Sequence, residues 1–381
     1  MATITSAKRK PIVIDKYFRA LVKFEGSDLH LKVGRPAHIR VKGALRALDA
    51  PPIDDDEMAQ MLYEMIDAVP RLSERRRKIL EEDGGVDLSH VCEVDGVLWR
   101  FRVNILQQMG ALGLVARRIN NKIPNFEGLF LPESIENLCH FDQGMILLAG
   151  VTGSGKSTTI ASMLNYINRR EPDHILTLED PIEFVFTDEK SLINQREIGQ
   201  DVKDFMIGMK HAVRQDPDII LVGEMRDRET FDTAIQAAET GHLVFGTIHA
   251  SSAASTISRI LDLFPADLHA AIRSAIVFNM KGIVAQKLLP SCKPGVSRVP
   301  TCEIMTFTPV IRKLIAESND EKLGDAIRNG ASEGMQDFTM SLKELVERRL
   351  IERSTAFEVA PSPEALKMAL KGIQVRESGL I

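Results

Sequence analysis

No stretch of this sequence approaches the roughly 18 apolar residues that a membrane span requires, so any association with a bilayer is expected to be peripheral. Cysteine is scarce. Cys92, Cys139, Cys292 and Cys302 include no C-x-x-C pair, which excludes the common zinc and dithiol motifs and leaves isolated reduced thiols. The start, Met1 to Pro11, is polar and basic and lacks the apolar segment of a secretory signal. Neither sign of charge dominates: the formal net charge is −5, and no basic, aromatic-rich tract is present. A nucleic-acid motor is therefore disfavoured. Internal repeats of significant length and low-complexity tracts are also lacking.

What is present is an ordinary globular composition, 44% hydrophobic and 27% charged, over 381 residues, which points to two domains. The expected division is a domain over residues 1–120, a linker over 121–140 containing Pro124, Gly128 and Pro132, and a second domain over 141–381. In the first, Asp28 to Gly34 alternates like a half-buried strand, and Arg35-Pro36 and Lys42-Gly43 punctuate the next ones. Met58, Met61, Leu62, Met65 and Ile66 predict a helix over 55–68. Val86 to Val103 reads as a hairpin turning at Asp95-Gly96.

From Met145 the pattern changes. The runs Met145–Val151, His174–Leu178, Asp218–Gly223 and Leu243–Ile248 are nearly continuously apolar, as strands covered on both faces should be. Helical segments alternate with them; Ser157–Arg169 carries Ile160, Met163, Leu164 and Ile167 on one face. Such alternation predicts a parallel sheet with crossover helices. After Pro265 the chain is expected to be mostly helical, with Leu366, Ala369, Leu370 and Ile373 on a last helix and a loose tail beyond.

Gly150-Val151-Thr152-Gly153-Ser154-Gly155-Lys156-Ser157 matches G-x-x-x-x-G-K-[ST] in full, between an apolar strand and an amphipathic helix. The glycines let several N–H groups converge on a phosphate chain, and the helix N-terminus adds its positive dipole end. Lys156 is positioned for the β- and γ-phosphates, and Ser157 for Mg²⁺. Asp216 to Glu224 is an apolar strand ending in a carboxylate, which places Glu224 at the crevice where such sheets bind ligands, fit to hold Mg²⁺ or its water. Glu179-Asp180-Pro181-Ile182-Glu183 follows another apolar strand, and any of its acids could orient an attacking water. His242 and His249 bracket Leu243–Ile248 as candidate γ-phosphate sensors.

Together these motifs resemble the secretion ATPase superfamily, and within it the type IV pilus retraction ATPases, the PilT family. Gly150–Thr158 looks like that family's Walker A box, Thr177–Phe184 its Asp box, Asp216–Asp227 its Walker B box and Glu239–Ala250 its His box. Ser27 to Leu31 and Arg100 to Asn104 resemble its N-terminal, PAS-like domain. The resemblance implies an α/β chain: a PAS-like domain, then a RecA-like ATPase core with a helical C-terminal region. It implies ATP or ADP and Mg²⁺ as ligands, held by Gly150, Thr152, Gly153, Ser154, Gly155, Lys156, Ser157 and Thr158. It assigns the water-polarising role to Glu183, metal and water support to Glu224, and γ-phosphate sensing to His249 and His242. Arg102, with Arg100 and Arg117, matches arginines that reach nucleotide, some across a subunit boundary. The family often has an arginine near the position of Met109, which this chain lacks.

The implied assembly is a homohexamer at the cytoplasmic face of the inner membrane, acting on a pilus platform protein alongside other pilus ATPases. Assembly and type II secretion ATPases of the superfamily usually carry a four-cysteine zinc insertion and a longer N-terminal region, and this sequence has no such cysteine pairs. Val310 to Glu317 looks like the retraction signature A-I-R-N-L-I-R-E, keeping Ile311, Arg312, Leu314, Ile315 and Glu317 and departing at Val310, Lys313 and Ala316. An accessory, PilU-like paralogue and a non-catalytic nucleotide-binding scaffold are the alternatives; Lys156, Ser157, Glu183 and Glu224 speak against the scaffold.

Overall fold

The computed structural model describes residues 11–373; the basic start through Lys10 and the loose tail beyond Ile373 lie outside the described residues. The chain forms two compact units. One holds the residues up to Lys122 together with Pro181–Thr187, and the other holds Ile123–Asp180 and the residues from Asp188 onward.

In the first unit, α1 (Asp15–Lys23) precedes β1 (Asp28–Lys32), β2 (His38–Val41) and β3 (Ala44–Ala47). Then come α2 (Asp55–Asp67), α3 (Pro70–Asp83), β4 (Gly85–Val94), β5 (Val97–Gln108) and β6 (Ala111–Arg118). The strands form one antiparallel sheet in the order β3-β2-β1-β6-β5-β4. The turns Lys42-Gly43 and Asp95-Gly96 both have positive φ at both residues, the mirror-image turn whose twist matches paired strands. Alternation then sorts the faces: Phe101, Val103 and Ile105 of β5 enter the core while Arg102 stays exposed. The predicted helix is α2, with all five of its expected apolar residues buried and Asp54 accepting the Glu57 N–H as its cap.

The second unit opens with α4 (Ser134–Asn137), β7 (Gly144–Ala149), α5 (Lys156–Asn168), β8 (His174–Glu179) and β9 (Leu192–Glu197). It continues through α6 (Phe205–Ala212), β10 (Ile219–Val222), α7 (Arg228–Glu239), β11 (Leu243–Ile248), α8 (Ala253–Leu261) and α9 (His269–Asn279). Strands β12 (Met280–Pro290) and β13 (Arg298–Thr306) follow, then α10 (Pro309–Ala316), α11 (Leu323–Asn329), α12 (Phe338–Glu347), α13 (Arg353–Val359) and α14 (Pro363–Leu370). The sheet order is β13-β12-β7-β11-β10-β8-β9, parallel except for the β12–β13 pair. Every residue of β7, β10 and β11 is buried, because helices cover both faces. Helix caps match the motif boundaries: Asp227, the last residue of the second acidic box, accepts the Thr230 N–H at the start of α7, and Ser252 forms a capping box for α8.

The structure corrects two expectations. Helices still predominate after Pro265, but β12 and β13, absent from the expected elements, extend the central sheet before the helices α10 to α14 begin. The apolar run Gly282–Ala285 of β12 is buried without interruption and carries no period to separate strand from helix, while in β13 Thr301 and Glu303 break up the apolar residues although Val299–Met305 is buried throughout. Residues from Ile123 group with the second unit rather than forming a bare tether: Ile135 and Leu138 are buried, and the Tyr166 hydroxyl on α5 donates to Glu136 at 2.6 Å.

Candidate functional site: a phosphate loop beside an acid–histidine pair

Four neighbouring strands, β7, β11, β10 and β8, end on one edge of the second unit's sheet, and each delivers a polar group there. Beyond β7 the loop Gly150–Gly155 turns directly into α5. Gly150, Gly153 and Gly155 have φ of 149°, 78° and 92°, values that residues with a Cβ rarely adopt. Gly155 is the N-cap of α5, and no side chain caps that helix. Its first-turn N–H groups and dipole thus face the loop, the arrangement that receives an anion. Thr152 and Gly153 are exposed on the crest, and Ser157 and Thr158 are half-buried on the first turn of α5. The Lys156 ammonium donates to the carbonyls of Gly150 and Val151, at 2.8 and 3.1 Å, which holds the charge over the loop. Ser154 Oγ is buried and has no protein partner, an unsatisfied polar atom inside the cradle.

Glu224 stands just past β10 and is mostly buried. One carboxylate oxygen lies 2.8 Å from His249 Nε2, at the end of β11, and the other pairs with the Arg226 guanidinium. Burial would push its carboxyl up, but Arg226 and His249 hold it below the ordinary 4.5, so it is ionised at neutral pH. The turn carrying it is pinned to β11: Thr247 Oγ1 donates to the Gly223 carbonyl at 2.6 Å, and the Met225 N–H donates to the Thr247 carbonyl at 2.9 Å. At the end of β8, Glu179 is buried and accepts from Thr177 Oγ1 at 2.7 Å and Gln195 Nε2 at 3.2 Å.

The sheet separates the two histidines. His249 follows the carboxyl end of β11, whereas His242 precedes its amino end, where its Nδ1 meets the Ala237 carbonyl at 2.8 Å behind α7. Seven residues of extended chain span about 20 Å, so His242 cannot sense a phosphate at the loop of its own subunit.

Asp180 is exposed, and Glu183 is exposed on Pro181–Thr187, which groups with the first unit. Ile182, Phe184 and Phe186 are buried there, and Phe184 forms a parallel bridge with Asn120, so the alternation turns Glu183 outward. Within the first unit, Arg100, Arg102 and Arg117 lie on one face of β5 and β6, with Arg102 directly opposite Arg117. Like charges placed so oppose pairing. Asp28 offsets this by accepting from Arg117 Nε at 2.8 Å. Arg100 donates to Ser89 Oγ at 3.3 Å.

Sequence reasoning missed Arg226, Thr247 and Gln286. Gln286 left a signal, a lone amide inside the buried apolar run of β12. In the retraction-like segment, Ile311, Leu314 and Ile315 are buried. Arg312 donates to the Phe307 carbonyl at 2.8 Å and the Met280 carbonyl at 3.1 Å. The three departures, Val310, Lys313 and Ala316, are all exposed, as is the retained Glu317, while the retained apolar residues are the packed ones.

Among the described residues no helix is long and apolar enough to cross a membrane, and no cluster of three metal-ligating side chains forms. The type II/IV secretion system protein family model matches residues 5–351. The chain is 45% identical to the type IV pilus retraction ATPase PilT of Pseudomonas aeruginosa, over 89% of this chain and 95% of that protein. It is 40% identical to a twitching motility protein of Neisseria gonorrhoeae, over 86% and 85%. A crystal structure of the pilus retraction motor PilT with bound ADP superposes with a TM-score of 0.83 at 40% identity, covering 94% of this chain and 99% of that one.

Proposed function

Because the chain belongs to the type II/IV secretion system protein family and is a P-loop ATPase of its PilT branch, we propose that it hydrolyses ATP to power retraction of a type IV pilus. The observation that carries this reading is the row of groups on one sheet edge: the loop with Lys156, then His249, then Glu224.

Phosphoryl transfer to water needs little covalent help, so positioning and charge stabilisation dominate. The loop N–H groups and Lys156 bind the phosphate chain, with Gly150, Thr152, Gly153, Ser154 and Gly155 supplying its curvature and Ser157 and Thr158 its helical end. Ser157 and Glu224 offer hard oxygens that suit Mg²⁺, which takes few protein ligands and the rest from phosphate and water. When bound, that ion neutralises phosphate charge. Ionised Glu224 orients water, Glu183 polarises the attacking one, and His249, tied to Glu224, is placed to register the γ-phosphate. Arg102, with Arg100 and Arg117, supplies cations to a site in the ring, in the manner of an arginine finger. The like-charged pairing of Arg102 and Arg117 supports a role beyond folding.

The assembly proposed is a homohexamer, peripheral at the cytoplasmic face of the inner membrane, engaging a pilus platform protein and working beside other pilus ATPases. Retention of the packed residues of the retraction-like segment favours retraction over assembly. Purified protein should hydrolyse ATP, and Lys156→Ala or Glu224→Ala should cut turnover at least about 100-fold. Full turnover by either variant would remove the site assignment. A deletion strain should carry excess, non-retracting pili; bald cells would indicate an assembly motor.

A further inference from the structure

We infer that Gln286 of β12 is a positioning residue for the phosphate loop, setting the curvature that makes its N–H groups converge; this rests on the reading of that loop as a nucleotide site. Gln286 is 3% exposed, and both ends of its amide are used. Nε2 donates to the Ser154 carbonyl at 2.8 Å, and Oε1 accepts from Thr159 Oγ1 at 2.8 Å. One side chain on a neighbouring strand therefore joins the end of the loop, at Ser154, to the first turn of α5, across the segment that holds Lys156.

Close packing shows the same crossbar from the other side. A Cβ on Gly155 would lie 2.6 Å from Gln286 Nε2, and a Cβ on Gly150 would lie 2.6 Å from the Gln286 backbone carbonyl. Strand β12 thus forms the floor against which the loop is moulded. Its backbone is fixed by pairing with both β7 and β13, so the floor does not yield. Removing the amide leaves a buried carbonyl and a buried hydroxyl unpaired, which they relieve by moving the loop. Buried as it is, Gln286 acts through Ser154, Gly155 and Thr159.

The test is MgADP binding by calorimetry, well below the melting temperature, together with steady-state ATP hydrolysis. Gln286→Ala should weaken MgADP binding about tenfold and raise KM for ATP more than it lowers kcat. Gln286→Met keeps the volume but can neither donate to Ser154 nor accept from Thr159, and should show the same loss of affinity. Ser191→Ala is the control. Its buried hydroxyl donates to the Glu171 carbonyl at 2.7 Å, at the edge of the sheet opposite the loop. It should lower the melting temperature and leave affinity unchanged. If Gln286→Ala does not fold, Thr159→Val cuts the crossbar from its other end and should show the same affinity loss. MgADP affinity within twofold of wild type in the folded crossbar variants would overturn the inference. Failure of the wild-type protein to bind MgADP would instead overturn the nucleotide-site reading.

Discussion

Replacing Gly150 by alanine tests how rigid the phosphate cradle is. Gly150 has φ of 149°, where a side chain costs about 1–3 kcal/mol in backbone strain. The new Cβ would sit 2.5 Å from Ser154 Oγ and 2.6 Å from the Gln286 carbonyl. Ser154 could turn away, but the carbonyl belongs to a paired strand. Ordinary contact begins near 3.5 Å, so loop and strand must part by close to 1 Å. A displacement of that size at a site that works by positioning costs about 100-fold in rate. Gly153 is the internal comparison: its φ is 78°, and nothing lies within 4 Å of an added Cβ, so only the backbone strain applies. Phosphate release at saturating MgATP should therefore fall at least about 100-fold in Gly150→Ala and about tenfold less steeply in Gly153→Ala. Circular dichroism should show both variants folded. Gly150→Ala retaining more than about a tenth of wild-type turnover, or the two variants equally impaired, would refute the rigid floor.

Two further predictions concern pH. Burial pushes the Glu303 carboxyl above its ordinary 4.5, although its oxygen accepts the Ala253 N–H at 2.6 Å at the start of α8. A raised folded value means stability that is full below 4.5 and lost as pH rises through the folded value. Glu303→Gln keeps the acceptor without the charge, so melting curves from about pH 4 to 8 should flatten, and an unchanged slope would count against this. Asp28 is the opposite case. Burial opposes its ionisation, but the Ser27 hydroxyl and Arg117 hold it below the ordinary 3.8. Its contribution is present above 3.8 and lost as pH falls through the lower folded value. Asp28→Asn should cost about 1 kcal/mol at neutral pH, less at high salt because Arg117 is largely exposed, and nothing in strong acid.

Where the chemistry is local, the sequence was legible. The loop, the acid after β10 and the strand Leu243–Ile248 needed only motif, spacing and an unbroken apolar run, and β11 has those bounds. The hairpin turn at Asp95-Gly96 followed from the φ that those residues tolerate. What depends on tertiary placement was hidden. The apolar run of β12 fits a buried helix as well as a strand, and only pairing with β7 decides it. The importance of Gln286 depends on that strand neighbouring β7, so it could not be read beforehand. The two histidines look equivalent in sequence because each touches the same strand; strand direction separates them. Glu183 and Glu179, four residues apart, belong to different compact units, which composition cannot reveal.

Strand β7 begins the core in chain order, yet its partners are β11 and β12. On a ribosome, at about 5–20 residues per second, roughly five seconds or more pass before β11 emerges, and longer before β12. Throughout that time Met-Ile-Leu-Leu-Ala has bare edges on both sides, a ready template for pairing with another nascent chain. Fragments ending before Met280 should therefore aggregate during synthesis, and the cell must shelter this segment until the last strands arrive.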